Sequence, residues 1–193
     1  MRKVVILLFL TILGKPFVFA QNLPIVKMGT SLGEIVLEID TLHAPLTAGN
    51  FLKHIADGTY KNAVFYRVVR MNNQPDDDTK IEVIQGGLFD DDKIDKINPV
   101  KHETTKQTGL HHLNGTISMA RNTPGTASVE FFICVGEQPA LDFGGKRNPD
   151  GQGFAAFGRV LKGMDAVRGI QQQKDKDQYL LSPVKIDSIV ILP

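Results

Sequence analysis

The sequence predicts a mainly β protein, a closed barrel capped at its ends by two helices. Short segments of alternating apolar and polar residues recur along most of the chain, separated by turns rich in Gly, Pro and Asn. Only two segments carry a helical period, and they lie far apart. No internal repeat and no linker divides the 193 residues, of which 42% are hydrophobic and 22% charged, a balance that suits one well-cored domain. Many short strands with few, distant helices favour a closed β architecture over alternating α/β layers.

The elements follow in order. Ile25 to Met28, a turn at Thr30 to Gly33, and Glu34 to Ile39 form a hairpin of alternating polarity. Pro45 opens a helix at its first turn, where a missing N–H costs nothing. Ala48, Phe51, Leu52 and Ile55 share one face of that helix, and Gly58 stops it. Strands are predicted at Ala63–Val69, Ile81–Gln85, Gly115–Met119, Val129–Val135 and Ala155–Val160. A second helix runs from Met164 through Val167 and Ile170, and Lys185–Leu192 supplies a last strand.

Residues 1–20 read as a secretory signal peptide, leaving 21–193 as the folded domain. Arg2 and Lys3 form the charged start, Val4 to Gly14 the apolar run, and Ala20 the small residue at the cut. The run is shorter than the roughly 20 residues a bilayer requires, so no stable membrane insertion is expected. A periplasmic or secreted location follows. The chain carries 22 Lys and Arg against 21 Asp and Glu, and three of those bases lie in the first twenty residues. The remaining domain is slightly acidic, which excludes a basic nucleic-acid surface.

Metal and redox chemistry find no support either. A single cysteine, Cys134, allows no internal disulfide and reads as core. Asp76-Asp77-Asp78 and Asp90-Asp91-Asp92 lack the alternating oxygen spacing of a calcium loop and read as solvated charge. His102, His111 and His112 do not make a metal set, since adjacent histidines do not readily share one ion.

Phe65-Tyr66-Arg67-Val68-Val69 carries the chemistry. A cation inside an apolar strand is costly unless it reaches a rim or a cleft. With Gly115 to Arg121 and Val129 to Ile133, it describes an arginine beside an apolar pocket. Such a pocket suits a neutral, bulky ligand bearing a carbonyl, as a prolyl peptide does. Phe131 and Phe132 are adjacent in a strand and point to opposite faces, so one is core while the other meets ligand.

Five segments then stand in a distinctive order: Phe65 to Val69, Gln85-Gly86-Gly87, Gly115 to Arg121, Glu130 to Ile133, and Phe157-Gly158-Arg159-Val160 followed by Gly163-Met164-Asp165. In these, and across Val26 to Ile191, the chain resembles the cyclophilin-type peptidyl-prolyl isomerases. The resemblance implies an eight-stranded antiparallel barrel with a helix over each open end, and a reaction without cofactor or metal. It implies that Arg67 is catalytic and that Phe132 floors a proline pocket walled by Val83 and Leu141. Gln85 would bond the substrate backbone, and the main chain around Ala120 and Arg121 would hold the residue before proline. Phe65 joins the binding set, as does Phe154, which stands where the family often has a histidine.

Some positions depart from the family. The phenylalanine usual three residues before the glutamine is Glu82 here, with Ile81 as its substitute if the register shifts. Glu130 replaces a frequent glutamine and is placed to pair with Arg67. Ala140 replaces a tryptophan, which predicts weak cyclosporin binding. Arg70 to Lys80 lengthens a loop before the pocket strand. The expected partners are proline-containing polypeptides, met by a monomer. The alternative is a peptide-binding or chaperone module with the same barrel and little turnover.

Overall fold

A computed structural model describes residues 22–193, so the segment read as a signal peptide lies outside the described residues. Strand β1 (Ile25–Thr30) turns into β2 (Gly33–Ile39), which leads to helix α1 (Pro45–Ala56). Then come β3 (Val64–Val69), β4 (Val83–Gly87), the single turns α2 (Asp91–Ile94) and α3 (Thr105–Thr108), β5 (Thr116–Met119) and β6 (Phe131–Cys134). The chain ends with β7 (Ala155–Lys162), α4 (Met164–Gln171), β8 (Asp175–Lys176) and β9 (Tyr179–Ile191).

Eight strands pair antiparallel in the order β1-β2-β7-β5-β6-β4-β3-β9, and β9 returns to β1 to close the barrel. The two-residue β8 pairs only with the start of β9. Closure leaves no long exposed edge to recruit another chain. Alternation decides what faces inward: Ile35, Leu37 and Ile39 are buried on β2, while Glu34, Val36 and Glu38 between them are not.

Helix α1 has proline in its first turn and buries Ala48, Phe51 and Ile55 along one side. Phe51 meets Phe157, Phe131 and Tyr60 at centroid distances of 5.1, 5.6 and 5.4 Å, so the helix is tied to the barrel by an aromatic cluster. Gly58 takes φ +72 after the last turn, while Thr59 N–H donates to His54 O and Gly58 N–H to Ile55 O. That is a Schellman stop, and a left-handed residue is what it requires. The second expected helix, α4, packs on β2, β3 and β4. The single turns α2 and α3 go beyond the two helices expected. Each has four residues, too few to show a helical period.

The last strand starts at Tyr179, six residues before its expected beginning at Lys185. Its early half is masked in the sequence by Pro183 and an irregular polarity. A two-residue turn, Asp177-Gln178, joins it to β8, with φ of 53° and 72°. Both residues are left-handed, the geometry that suits a tight hairpin and normally favours Asn and Gly.

Candidate active site

The barrel's outer face carries a cleft of about 520 Å3, built by cross-strand register. Arg67 on β3 faces Gln85 on β4, Gln85 faces Phe132 on β6, and Phe132 faces Ser118 on β5. Residues in such a row point to one side of the sheet. One step along, Val69 faces Val83 and Val83 faces Cys134, an apolar row beside the polar one. Ile81, Val83, Phe132 and Leu141 line the cleft and, with Val69 and Cys134, form an apolar cluster separate from the barrel core.

A bulge in β3 decides which residues reach this face. Phe65 pairs with Gly86 and Arg67 with Gln85, so Tyr66 is the extra residue. Strict alternation would put Phe65 and Arg67 on the same side. The bulge instead turns Phe65 into the barrel, fully buried against Phe131 at 5.8 Å, and sends Tyr66 and Arg67 together to the cleft. Phe65 is therefore core and does not line the site; Tyr66 occupies the place expected of it.

The guanidinium of Arg67 is held from both ends. Its Nη1 donates to Gln85 Oε1 (2.9 Å), and its Nε and Nη2 donate to Gln178 Oε1 (3.1 and 2.5 Å). Gln85 is oriented in turn, donating from Nε2 to the Tyr66 hydroxyl at 2.6 Å. Partial burial lowers the Arg67 pKa from its usual value, and the nearby hydroxyls of Tyr179 and Tyr66 oppose that shift. Arginine titrates so high that it remains a cation. Three of its five N–H groups are engaged, which leaves two for a ligand.

Phe132 has its ring 5.2 Å from Phe154 at 88°, with the guanidinium of Arg121 5.1 Å above Phe154. Arg121 is fixed by Asp150 (2.9 and 3.0 Å) and by Gly153 O (2.9 and 2.6 Å), so its side chain braces the Phe154 wall. Ala120 lines the cleft with its N–H already donated to Glu130 O at 2.8 Å. Ala140 packs against the apolar cluster from outside the lining.

Two sequence ambiguities are resolved. Ile81 is 7% exposed and lines the cleft, whereas Glu82 does not line it. The register of Ile81 is set by Gln74, which is buried in the long loop and bonds both the Ile81 N–H (3.2 Å) and C=O (2.8 Å). Glu130 does not pair with Arg67; among the described residues no ion pair joins them. Its Oε1 instead accepts from Leu88 N–H at 2.6 Å, and burial raises its pKa above the usual carboxylate value. Gly87 makes room for it: a Cβ there would sit 2.2 Å from Glu130 Oε1, and the φ of +151° also favours glycine.

The histidines take structural partners. His112 is buried between Asp142 (Nδ1 to Oδ1, 2.6 Å) and Ser118 (Nε2 to Oγ, 2.9 Å), and its ring stacks 5.8 Å from Phe132. His111 shares Asp142, and His102 meets Gln152 O elsewhere. Among the described residues no group of three His, Cys, Asp or Glu is placed to hold a metal. Burial pushes the Cys134 thiol far up, beyond reactive use.

Tyr66, Gln178, Tyr179 and Phe89 also reach the cleft or its arginine and escaped sequence reasoning. Gln178 is 111 residues from Arg67, and no local pattern marks it.

Known proteins place this geometry. The family model described as cyclophilin type peptidyl-prolyl cis-trans isomerase/CLD matches residues 25–191. Peptidyl-prolyl cis-trans isomerase cyp18 of Streptomyces antibioticus is 35% identical, over 86% of this chain and 98% of its own. Peptidyl-prolyl cis-trans isomerase B of Escherichia coli is 31% identical, over 83% of this chain and 98% of its own. The crystal structure of a cyclophilin type isomerase from Cryptosporidium parvum superposes with a TM-score of 0.69 at 23% identity, covering 89% of this chain and 98% of that one. The same protein was also solved in the presence of the dipeptide Ala-Pro, with a TM-score of 0.67. The chain belongs to the cyclophilin-type peptidyl-prolyl cis-trans isomerases.

Proposed function

We propose that the protein isomerises prolyl bonds in exported polypeptides, with Arg67 stabilising the twisted amide over the Phe132 pocket. An X–Pro bond exchanges over roughly 18–20 kcal/mol because twisting loses amide resonance. Left alone, exchange takes tens to hundreds of seconds. In the twisted state the prolyl nitrogen pyramidalises and gains a lone pair. A fixed guanidinium that donates to that nitrogen, or steadies the carbonyl oxygen, favours the twisted state over either planar isomer. No covalent bond breaks, so neither nucleophile nor general base is needed. The apolar cluster of Ile81, Val83, Phe132 and Leu141 holds the ring while the rest of the amide turns.

The observation that carries this reading is the doubly anchored Arg67 at the edge of that apolar cluster. The test is NMR exchange of an Ala-Pro peptide with catalytic amounts of the protein. Accelerated cis–trans exchange supports isomerisation, and binding without acceleration points to a peptide-holding module. The binding-only reading draws on Glu82, the lengthened Arg70–Lys80 loop and Glu130; of these, Glu82 does not line the cleft and Ile81 does. The signal-like first twenty residues support a periplasmic or secreted enzyme whose clients are exported chains. Ala140 in place of a large aromatic supports weak cyclosporin binding.

A further inference from the structure

The tip of the β8–β9 hairpin reaches the guanidinium of Arg67, although 111 residues separate them in sequence. We propose that Gln178 is a positioning residue for isomerisation, its amide clamping the Arg67 guanidinium so that two N–H groups stay aimed at the prolyl peptide. This rests on the reading of Arg67 given above.

Gln178 Oε1 takes the Nε and Nη2 edge of the fork, and Gln85 Oε1 takes Nη1. A planar group held at both ends cannot turn about its long axis without breaking one contact. The Gln178 amide has a defined orientation, because its Nε2 donates to Asn73 O at 3.1 Å and so turns the oxygen towards Arg67. The backbone is pinned as well: Gln178 N–H donates to Asp175 Oδ2 (3.1 Å), and its carbonyl accepts from Val68 N–H (2.8 Å). Asp175 is itself paired with Arg70 and bonded by Asn73 Nδ2 at 3.0 Å. The clamp therefore stands on the end of β3, the long loop and the hairpin together.

Backbone conformation adds a second line of argument. Gln178 sits at φ 72°, where glycine has no steric cost and glutamine does. The turn alone would be better served by glycine; what glutamine adds is the amide. That amide is neutral, as is that of Gln85, so Arg67 is oriented without its charge being neutralised. A carboxylate in either place would weaken the field felt by the twisted peptide bond.

Gln178→Gly and Gln178→Met, made in the full chain, test the clamp. Glycine removes the amide and relieves the backbone; methionine keeps the length and backbone cost and removes the amide, both its acceptor for Arg67 and its donor to Asn73. NMR exchange on an Ala-Pro peptide, across peptide concentrations, separates turnover from affinity. Turnover is expected to fall roughly tenfold in both, as loss of orientation alone can cost such factors. Peptide Kd should stay within twofold, and the Arg67 Nε–H resonance should broaden. The Gln178→Gly melting temperature should hold or rise. Turnover within twofold of the parent in a folded variant overturns the proposal, as does a fall matched by an equal loss of affinity. If the glycine variant fails to fold, the methionine variant decides. Arg67→Ala runs alongside: if it keeps parental turnover, the reading of Arg67 fails. If it is inactive and the Gln178 variants are not, only the clamp fails.

Discussion

Replacing Arg67 by alanine should remove most turnover while the barrel stays folded. Two N–H groups of the guanidinium remain for substrate once Gln85 and Gln178 are served. Losing a preorganised donor to developing charge typically costs about 10²–10³ in rate, or about 2.7–4 kcal/mol. The structural cost is smaller. Truncation strands two glutamine oxygens at a half-exposed rim where water can replace the arginine, so stability should move by about 1 kcal/mol. Arg67→Lys keeps the charge but offers one compact ammonium, which cannot span two amide oxygens at opposite ends of a fork. It should recover only part of the rate. NMR exchange of an Ala-Pro peptide, with a melting curve for each variant, measures both quantities. An Arg67→Ala protein that is folded and within threefold of parental turnover would refute the electrostatic account.

Phe132→Ala should weaken prolyl-peptide binding by at least tenfold in titration and, because the ring is 4% exposed, cost about 3–4 kcal/mol of stability in denaturant unfolding. Ile81→Ala should weaken the same binding roughly fivefold, as loss of apolar contact does, whereas Glu82→Ala should leave it unchanged; the reverse pattern would mean the loop register is wrong. Glu130 has its pKa raised on folding, so its carboxylate opposes the folded state at neutral pH and that cost vanishes below the unfolded carboxylate value. Glu130→Gln should therefore raise the melting temperature at pH 7, with the gain fading as the pH falls towards about 4; a gain independent of pH would sink this reasoning. Full-length protein expressed in an exporting bacterium should appear in the periplasm or medium with Gln21 as its first residue by intact mass, and an unprocessed cytoplasmic product would contradict the export reading.

Much of the site was legible because it is encoded locally. Alternation along β2 and β6 separates inner from outer residues, so Phe131 and Phe132 could be assigned to opposite faces before any coordinates. The strand order was not legible, since β5 pairing with β7 depends on contacts between distant segments. The bulge at Tyr66 is the sharpest failure of periodic reasoning. A one-residue insertion reverses the facing of Phe65 relative to Arg67, and nothing in the sequence announces it. The choice between Ile81 and Glu82 was open for a similar reason: a loop of free length precedes them, and the register is fixed by tertiary contacts. The buried Gln74 bonds Ile81, Val135 N–H donates to Glu82 O, and Val83 pairs with Val69 and Cys134.

What the amino-acid sequence determined by itself was the barrel class, an arginine beside an apolar pocket, and Phe131 and Phe132 on opposite faces, because residue type and period-two spacing suffice for those. The roles of Arg67 and Phe132 came from the resemblance to the cyclophilins. The tertiary structure alone decided how the arginine is held. Gln178 comes from a hairpin at the far end of the chain, in a left-handed turn with no glycine to mark it. Hydrogen bonds are directional and short, so a clamp of this kind exists only once folding has brought both partners within about 3 Å of each other.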